Sequence, residues 1–190
     1  MKGHYTMTKT EQKKQEAALK RILKNQTKGT AKINGALQDT TSQLITDTYR
    51  LIELNHPVSL PLDSVNRQSI DRVRTLFPAD QPKECLFVSP KQIRGLIYTT
   101  KEQYKAGLLP AGWPEWMIEL RPSMIDHSPD LQADRFRLNG RYLLDCMLAL
   151  GCKESVQYAV YPIQQSLKAG SYYIYYMTTD QGRALLVGVR

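Results

Sequence analysis

Residues 141–190 constrain the fold more than any other stretch, because they combine the densest apolar sequence of the chain with its clearest strand signals. RYLLDCMLALG places Leu143, Cys146, Met147 and Leu150 at the three-and-four spacing of one helix face, and Gly151 follows where a left-handed C-terminal cap belongs. A buried helix is expected there. VQYAVYPI and SYYIYYMTTDQGRALLVGVR are rich in Tyr, Val and Ile, and Thr179-Asp180-Gln181-Gly182 divides the second into two apolar runs, which reads as a hairpin. A lone hairpin is marginal in water, so Val156–Ile163 is expected to add a third strand and the helix to cover one face. The fold class that follows is α+β, with a basic N-terminal helical arm, several helices, and a C-terminal antiparallel sheet of about three to four strands.

A chain of 190 residues can bury a core without disulfide or metal staples. No stretch approaches the roughly 18–20 successive apolar residues of a membrane span, so no membrane association is expected. The opening MKGHYTMTKTEQKKQE is charged with no apolar segment behind it, and a standard secretory signal is not expected. Cys85, Cys146 and Cys152 are odd in number and sit among Leu, Phe and Met. They read as small buried hydrophobes, without a disulfide, in a reducing compartment, the cytoplasm.

The net charge of +8 is unevenly placed. Nine basic residues precede Ile33 against only Glu11 and Glu16, so +7 of it lies in the first 32 residues. The chain accordingly divides into a basic helical arm and linker, 1–34, and a single α+β globular domain, 35–190. Thr8 to Lys28 is dominated by helix formers and has no Pro or Gly. At about 100° per residue, Lys13, Lys14, Lys20, Arg21, Lys24 and Lys28 fall within about a third of the helix circumference, with Leu19, Ile22 and Leu23 opposite. NQTKGTAKING, 25–35, reads as a flexible connection. A cationic stripe of this kind suits a polyanion: nucleic acid, DNA or RNA, held by its phosphates. The alternative is an accessory or inhibitory module whose basic helix docks on an acidic protein. The apolar face lacks the aromatics expected of a membrane-surface helix.

Between arm and C-terminal core, Asp39 or Thr40 can cap a helix carrying Leu44, Ile45, Tyr49 and Ile52, ending at Asn55-His56-Pro57. Asp63 or Ser64 can cap a second, carrying Val65, Ser69, Ile70, Val73 and Leu76. The connection Asn55–Leu62 is about twice the length of a helix-turn-helix link, so a packed scaffold is expected; a groove-binding pair would present Asn66, Arg67 and Arg74. Cys85–Val88 reads as a short edge strand. Ser89-Pro90 opens a helix to Tyr104, whose first turn groups Lys91, Gln92 and Arg94 as an anion-contacting end. Lys105–Pro114 is irregular, and Trp113 and Trp116 beside it are candidate anchors for a protein partner. Glu115–Arg121 alternates as a strand. Ser128-Pro129 is expected to open a helix reaching Leu150, in preference to a hairpin turned at Asn139-Gly140. Gln164–Leu167 reads as a short link or turn of helix.

No catalytic signature emerges. His4, His56 and His127 lie in unrelated contexts, Cys146 and Cys152 are not at zinc spacing, and no metal or cofactor is expected. Asp126, Asp130, Asp134 and Asp145 are a possible Mg²⁺ set, and Pro129-Asp130 resembles the opening of a restriction-type nuclease motif. The acid-any-Lys strand that completes that motif does not follow. Phosphate-binding GxxxxGK[ST], GxGxxG and GxSxG are all missing. Four tyrosines between Tyr172 and Tyr176 suit either a base-stacking sheet or amphipathic packing, and packing is preferred. A non-catalytic nucleic-acid-binding protein is therefore expected, with Lys13, Lys14, Lys20, Arg21, Lys24, Lys28, Lys91 and Arg94 as its phosphate contacts.

Overall fold

The computed structural model describes residues 7–26, 35–63, 67–80, 82, 85–120, 136–167 and 170–188. Its elements run α1 (Lys9–Gln26), β1 (Leu37–Gln38), β2 (Gln43–Thr46), β3 (Arg50–Leu54), α2 (Arg67–Arg74), β4 (Leu86–Val88), α3 (Pro90–Lys105), β5 (Met117–Leu120), β6 (Phe136–Asn139), α4 (Gly140–Ala149), β7 (Tyr158–Leu167), β8 (Gly170–Thr179) and β9 (Gly182–Val187). The class is α+β, but the main sheet has seven strands, ordered β1-β2-β3-β9-β8-β7-β4, and β5 and β6 form a separate pair. Every neighbouring pair in the large sheet is antiparallel.

Two of the additional strands, β2 and β3, come from residues expected to be helical. Residues 43–54 contribute β2 and β3, paired from Gln43↔Leu54 to Thr46↔Leu51. Apolar side chains cover both faces of the sheet here: Ile45, Ile52 and Leu54 enter one core, Leu44 and Leu51 the other. Consecutive apolar residues on a strand buried on both sides lose the alternation of a half-buried strand, and their spacing then imitates a helix. The hairpin turns at Thr48, whose φ of 80° is left-handed. The Asp47 carboxylate secures it by accepting from the backbone N–H groups of Tyr49 and Arg50 at 3.3 and 2.9 Å.

One core lies between the sheet and a helical layer of α1 and α4. Ala18, Leu19 and Ile22 of α1, each 0 % exposed, meet Leu143, Cys146, Met147 and Leu150 of α4 and Tyr175, Met177 and Leu186 of the sheet. Burying an aliphatic side chain of this size stabilises by about 1.5–3 kcal/mol, so α1 shares the core of the rest of the chain rather than merely touching it. Glutamines fasten its length: the Gln15 amide donates to the Ala149 carbonyl at 2.8 Å, and that of Gln26 to the Gly35 and Thr46 carbonyls, both at 2.8 Å. Residues 27–34 of the expected linker, with Lys28, lie outside the described residues. The opposite face of the sheet, with Tyr161, Tyr176 and Leu185, packs on Ile70 and on Phe77 beyond α2.

α3 begins as its sequence indicates. The Ser89 hydroxyl accepts from the Gln92 backbone at 3.2 Å while the Gln92 side chain accepts from Ser89 N–H at 2.8 Å, a reciprocal cap followed by Pro90. α4 does not begin at Ser128. Residues 121–135 lie outside the described residues, and 136–139 are strand β6, paired with β5. Asn139-Gly140 is neither helix interior nor hairpin turn: Asn139 is the N-cap, its Oδ1 accepting from Arg141 and Tyr142 N–H at 3.0 and 3.3 Å. Gly140 is required by close approach, since a Cβ there would stand 2.8 Å from the side chains of Ile97 and Ile118. At the far end Gly151, φ 68°, gives the expected left-handed cap, with Gly151 N–H on the Leu148 carbonyl and Cys152 N–H on that of Met147.

β7 continues through Gln164–Leu167, where a link was expected, because those residues pair with Tyr173–Gly170 of β8. β8 and β9 form the hairpin around Asp180-Gln181, with Thr179↔Gly182 as its last pair. No described helix is long and apolar enough to cross a membrane.

Candidate functional site

The fixed inner side of α1 determines what its outer side can present. Lys13 and Lys20 are exposed, and neither has a hydrogen-bond or ion-pair partner among the described residues. Lys14 is half-buried, its Nζ 3.3 Å from Oε1 of Glu154. Arg21 lies at the rim, giving Nε and Nη2 to Oδ1 of Asp145 at 2.9 and 2.6 Å. Lys24 is exposed one turn further on.

The first turn of α3 joins this surface through Glu154. Its carboxylate accepts from Arg94 Nε at 3.1 Å as well as from Lys14, and its carbonyl accepts the Lys91 N–H at 2.9 Å. The expected cations on α1 and α3, some seventy residues apart in sequence, therefore converge. Between them and the start of α4 is a cleft of about 540 Å³ lined by Arg21, Lys24, Asn25, Arg94, Arg141, Tyr142, Leu144 and Asp145. Arg141 holds its own acid, Nη2 lying 3.1 Å from Oε1 of Glu115.

Beneath the cleft lies an ion network that fixes its floor. The Arg50 side chain is 0 % exposed. It donates to Asp47, through Nε at 3.0 Å and through Nη2, and through Nη1 to Oδ2 of Asp145 at 2.8 Å. Burial works against its charge, but hydrogen bonding to Asp47 and the field of Asp145 outweigh this and raise its affinity for the proton. The Tyr142 ring covers the guanidinium at 4.1 Å. Asp145 thus joins buried Arg50 to surface Arg21, tying α4, β3 and α1 together.

A second network occupies the edge near β1. Glu53 accepts from Arg74 at 2.7 Å, Arg183 at 2.8 Å and Ser42 at 3.0 Å, and Arg74 also binds Asp39. Backbone N–H groups of Thr41 and Ser42, with Arg74, hold Asp39 well below the usual carboxylate range. For Glu53 burial pushes upward, and Arg74 and Arg183 more than reverse it. Arg74 is therefore committed within the protein, which overturns its candidacy as a groove contact; Asn66 and the side chain of Arg67 lie outside the described residues.

Trp113 and Trp116 are both half-buried. The Trp113 indole donates to the Met117 carbonyl at 3.0 Å, and the Arg137 guanidinium lies 4.8 Å above its ring. Of the tyrosines of β8, Tyr175 and Tyr176 enter the two cores at 2 % and 7 % exposure, so neither offers a ring face to a base, and Tyr172 and Tyr173 are half-buried. Cys146 is fully buried, and desolvation pushes its thiol up to about 12, the opposite of an activated nucleophile. Asp126, Asp130 and Asp134 lie outside the described residues, and Asp145 serves the ion network. Among the described residues no His, Cys, Asp and Glu side chains gather in a group suited to a metal.

Sequence reasoning missed Arg141, Asn25 and Tyr142 in the cleft and the Arg50–Asp145 pair beneath it. A signal for the pair existed: Arg50 and Asp145 each interrupt an otherwise apolar run, and an ionisable residue in a buried element needs a partner of opposite sign. No protein-family model, no curated protein and no solved structure matches this chain.

Proposed function

We propose that this protein binds nucleic acid without catalysis, contacting the phosphate backbone through the outer face of α1, with Lys91 and Arg94 of α3 beside it. The observation that carries this reading is that Lys13, Lys20, Arg21 and Lys24 project from a helix whose other side is anchored in the core. An anchored helix presents its cations in a fixed row, and each cation placed on a phosphate releases counterions. Such contacts position the protein on a strand without reading bases, so the binding is sequence-tolerant.

Fluorescence anisotropy with labelled duplex DNA and with single-stranded RNA, in about 50 mM and about 200 mM salt, tests the reading. Binding in low salt that Lys13→Glu/Lys20→Glu abolishes is the expected result. Absence of binding to either polymer in low salt overturns it. Deleting residues 1–34 is a poor substitute, because it removes Leu19 and Ile22 from the core.

A second reading, docking on an acidic protein, is favoured by one observation. Tyr98, 68 % exposed, stands one turn from Arg94 on α3, and Leu108 beyond that helix is 74 % exposed. Contacts to phosphates make no use of that apolar surface, whereas a protein partner would cover it. Co-purification with an acidic protein, lost on Tyr98→Ala together with Lys20→Glu, is the outcome this reading requires.

A further inference from the structure

We propose that the cleft between α1, α3 and the start of α4 is a discrete phosphate-binding site, in which Arg21, Arg94 and Arg141, with Lys24, hold the oxygens of a phosphoryl group. The inference rests on the nucleic-acid reading for the source of that phosphate, not for the site itself.

Charge comes first. Four cations line the cleft against one carboxylate, Asp145. Asp145 is shared between Arg21 and the wholly buried Arg50, which also holds Asp47. Glu154 and Glu115 pair with Arg94 and Arg141, so around the recess the cations outnumber the acids that hold them. The disposition of the guanidiniums is more specific. Hydrogen bonds engage Nε and Nη2 of Arg21, Nε of Arg94 and Nη2 of Arg141. Among the described residues, Nη1 of Arg21, both terminal nitrogens of Arg94 and Nη1 of Arg141 have no partner. Each arginine is thus held by an acid along one edge and keeps donors on another. Three arginines restrained in this way lose little further freedom on binding, and the guanidinium fork matches phosphate oxygens.

Size agrees with this chemistry. A volume of about 540 Å³ falls inside the range of about 300–1,000 Å³ typical of small-molecule sites, room for a nucleotide-sized group. Asn25, Tyr142 and Leu144 complete the lining. A strand of nucleic acid and a free nucleotide or polyphosphate present the same phosphoryl chemistry to such a site.

The test is isothermal titration calorimetry of inorganic pyrophosphate into the full chain at low salt, paired with anisotropy of a labelled oligonucleotide. Wild type and Arg72→Gln, a charge-matched control on α2 across the sheet, should bind pyrophosphate one to one with equal affinity. Arg94→Gln and Arg141→Gln should each weaken it by about tenfold or more, with thermal unfolding confirming that both variants fold. Displacement of the oligonucleotide by pyrophosphate, with both ligands weakened by the cleft variants, supports the site and assigns its phosphate to a nucleic acid. Loss of pyrophosphate alone supports the site as one for a free phosphate ligand and leaves the α1 surface as the nucleic-acid contact. Pyrophosphate binding with no oligonucleotide binding supports the cleft and removes the nucleic-acid reading. Binding that does not saturate, or that is unchanged in Arg94→Gln and Arg141→Gln, overturns the cleft whatever the oligonucleotide does.

Discussion

Arg50 is a cation with no access to water, and its two carboxylate partners make it possible. Asp47 and Asp145 take three of its nitrogens, and Arg21 closes the network at the surface. Removing the guanidinium leaves Asp47 buried without this cation and Asp145 with Arg21 alone, and breaking a buried pair in this way costs about 3–5 kcal/mol. Arg50→Met should lower unfolding stability by that amount in urea denaturation, whereas Arg21→Ala, half-exposed, should cost about 1 kcal/mol or less. Equal effects of the two substitutions would contradict the assignment of Arg50 as the buried centre. The Asp39–Arg74–Glu53 network makes a separate prediction about acid. Both carboxylates titrate lower in the folded chain than when unfolded. Their contribution is therefore complete above about pH 5 and is lost as the pH falls through the folded values, below the free values of about 3.9 and 4.3. Urea midpoints measured from neutral pH downward should fall in that acid window for wild type. Arg74→Ala should start lower and show a flatter acid limb; parallel acid limbs would exclude this network as the cause.

At the scale of elements, α1 is the piece whose role is most altered by its packing. A helix with a strongly basic face reads as an arm, yet Leu19 and Ile22 of its narrow apolar stripe are fully buried in the core it shares with α4 and the sheet, and Leu23 packs against that core. Leu19→Ala and Ile22→Ala should each cost about 2–5 kcal/mol, the range for truncating large aliphatic side chains in a core. Chemical denaturation checks this, and losses under about 0.5 kcal/mol, the range of surface substitutions, would mean that α1 is an appendage after all. The elements legible in the sequence are those with local punctuation. Ser89-Pro90 starts α3, Gly151 stops α4, and Thr179–Gly182 turns the last hairpin. β2 and β3 were illegible because burial on both faces erases the period-two signal, leaving Leu44-Ile45 and Leu51-Ile52 at helix-like intervals. Asn139-Gly140 misled for a related reason. An N-cap followed by a close-packed glycine has the same two letters as a tight turn, and only the presence of Ile97 and Ile118 distinguishes them.

For the whole molecule, the decisive fact is that a seven-stranded sheet carries helices on both sides and that the cations of α1, α3 and the start of α4 meet on one of them. Charge excess and its location on α1 are sequence properties, but the cleft is not. Arg21, Arg94 and Arg141 come from three separate elements, and nothing local to any of them announces the other two. What brings them together is the packing of α1 and α3 against α4, with Glu154 and Asp145 as the shared acids. The molecule thereby offers a row of lysines on a rigid support and a recess of arginines at its end, the surface to which the proposal assigns phosphates. The salt dependence of binding to a duplex, compared between wild type and Lys13→Ala/Lys20→Ala, tests this most directly. The account predicts a steep linear fall of log affinity with log salt concentration, with the slope reduced by about 2 in the variant, one for each cation removed. An affinity indifferent to salt, or an identical slope in both proteins, would contradict it.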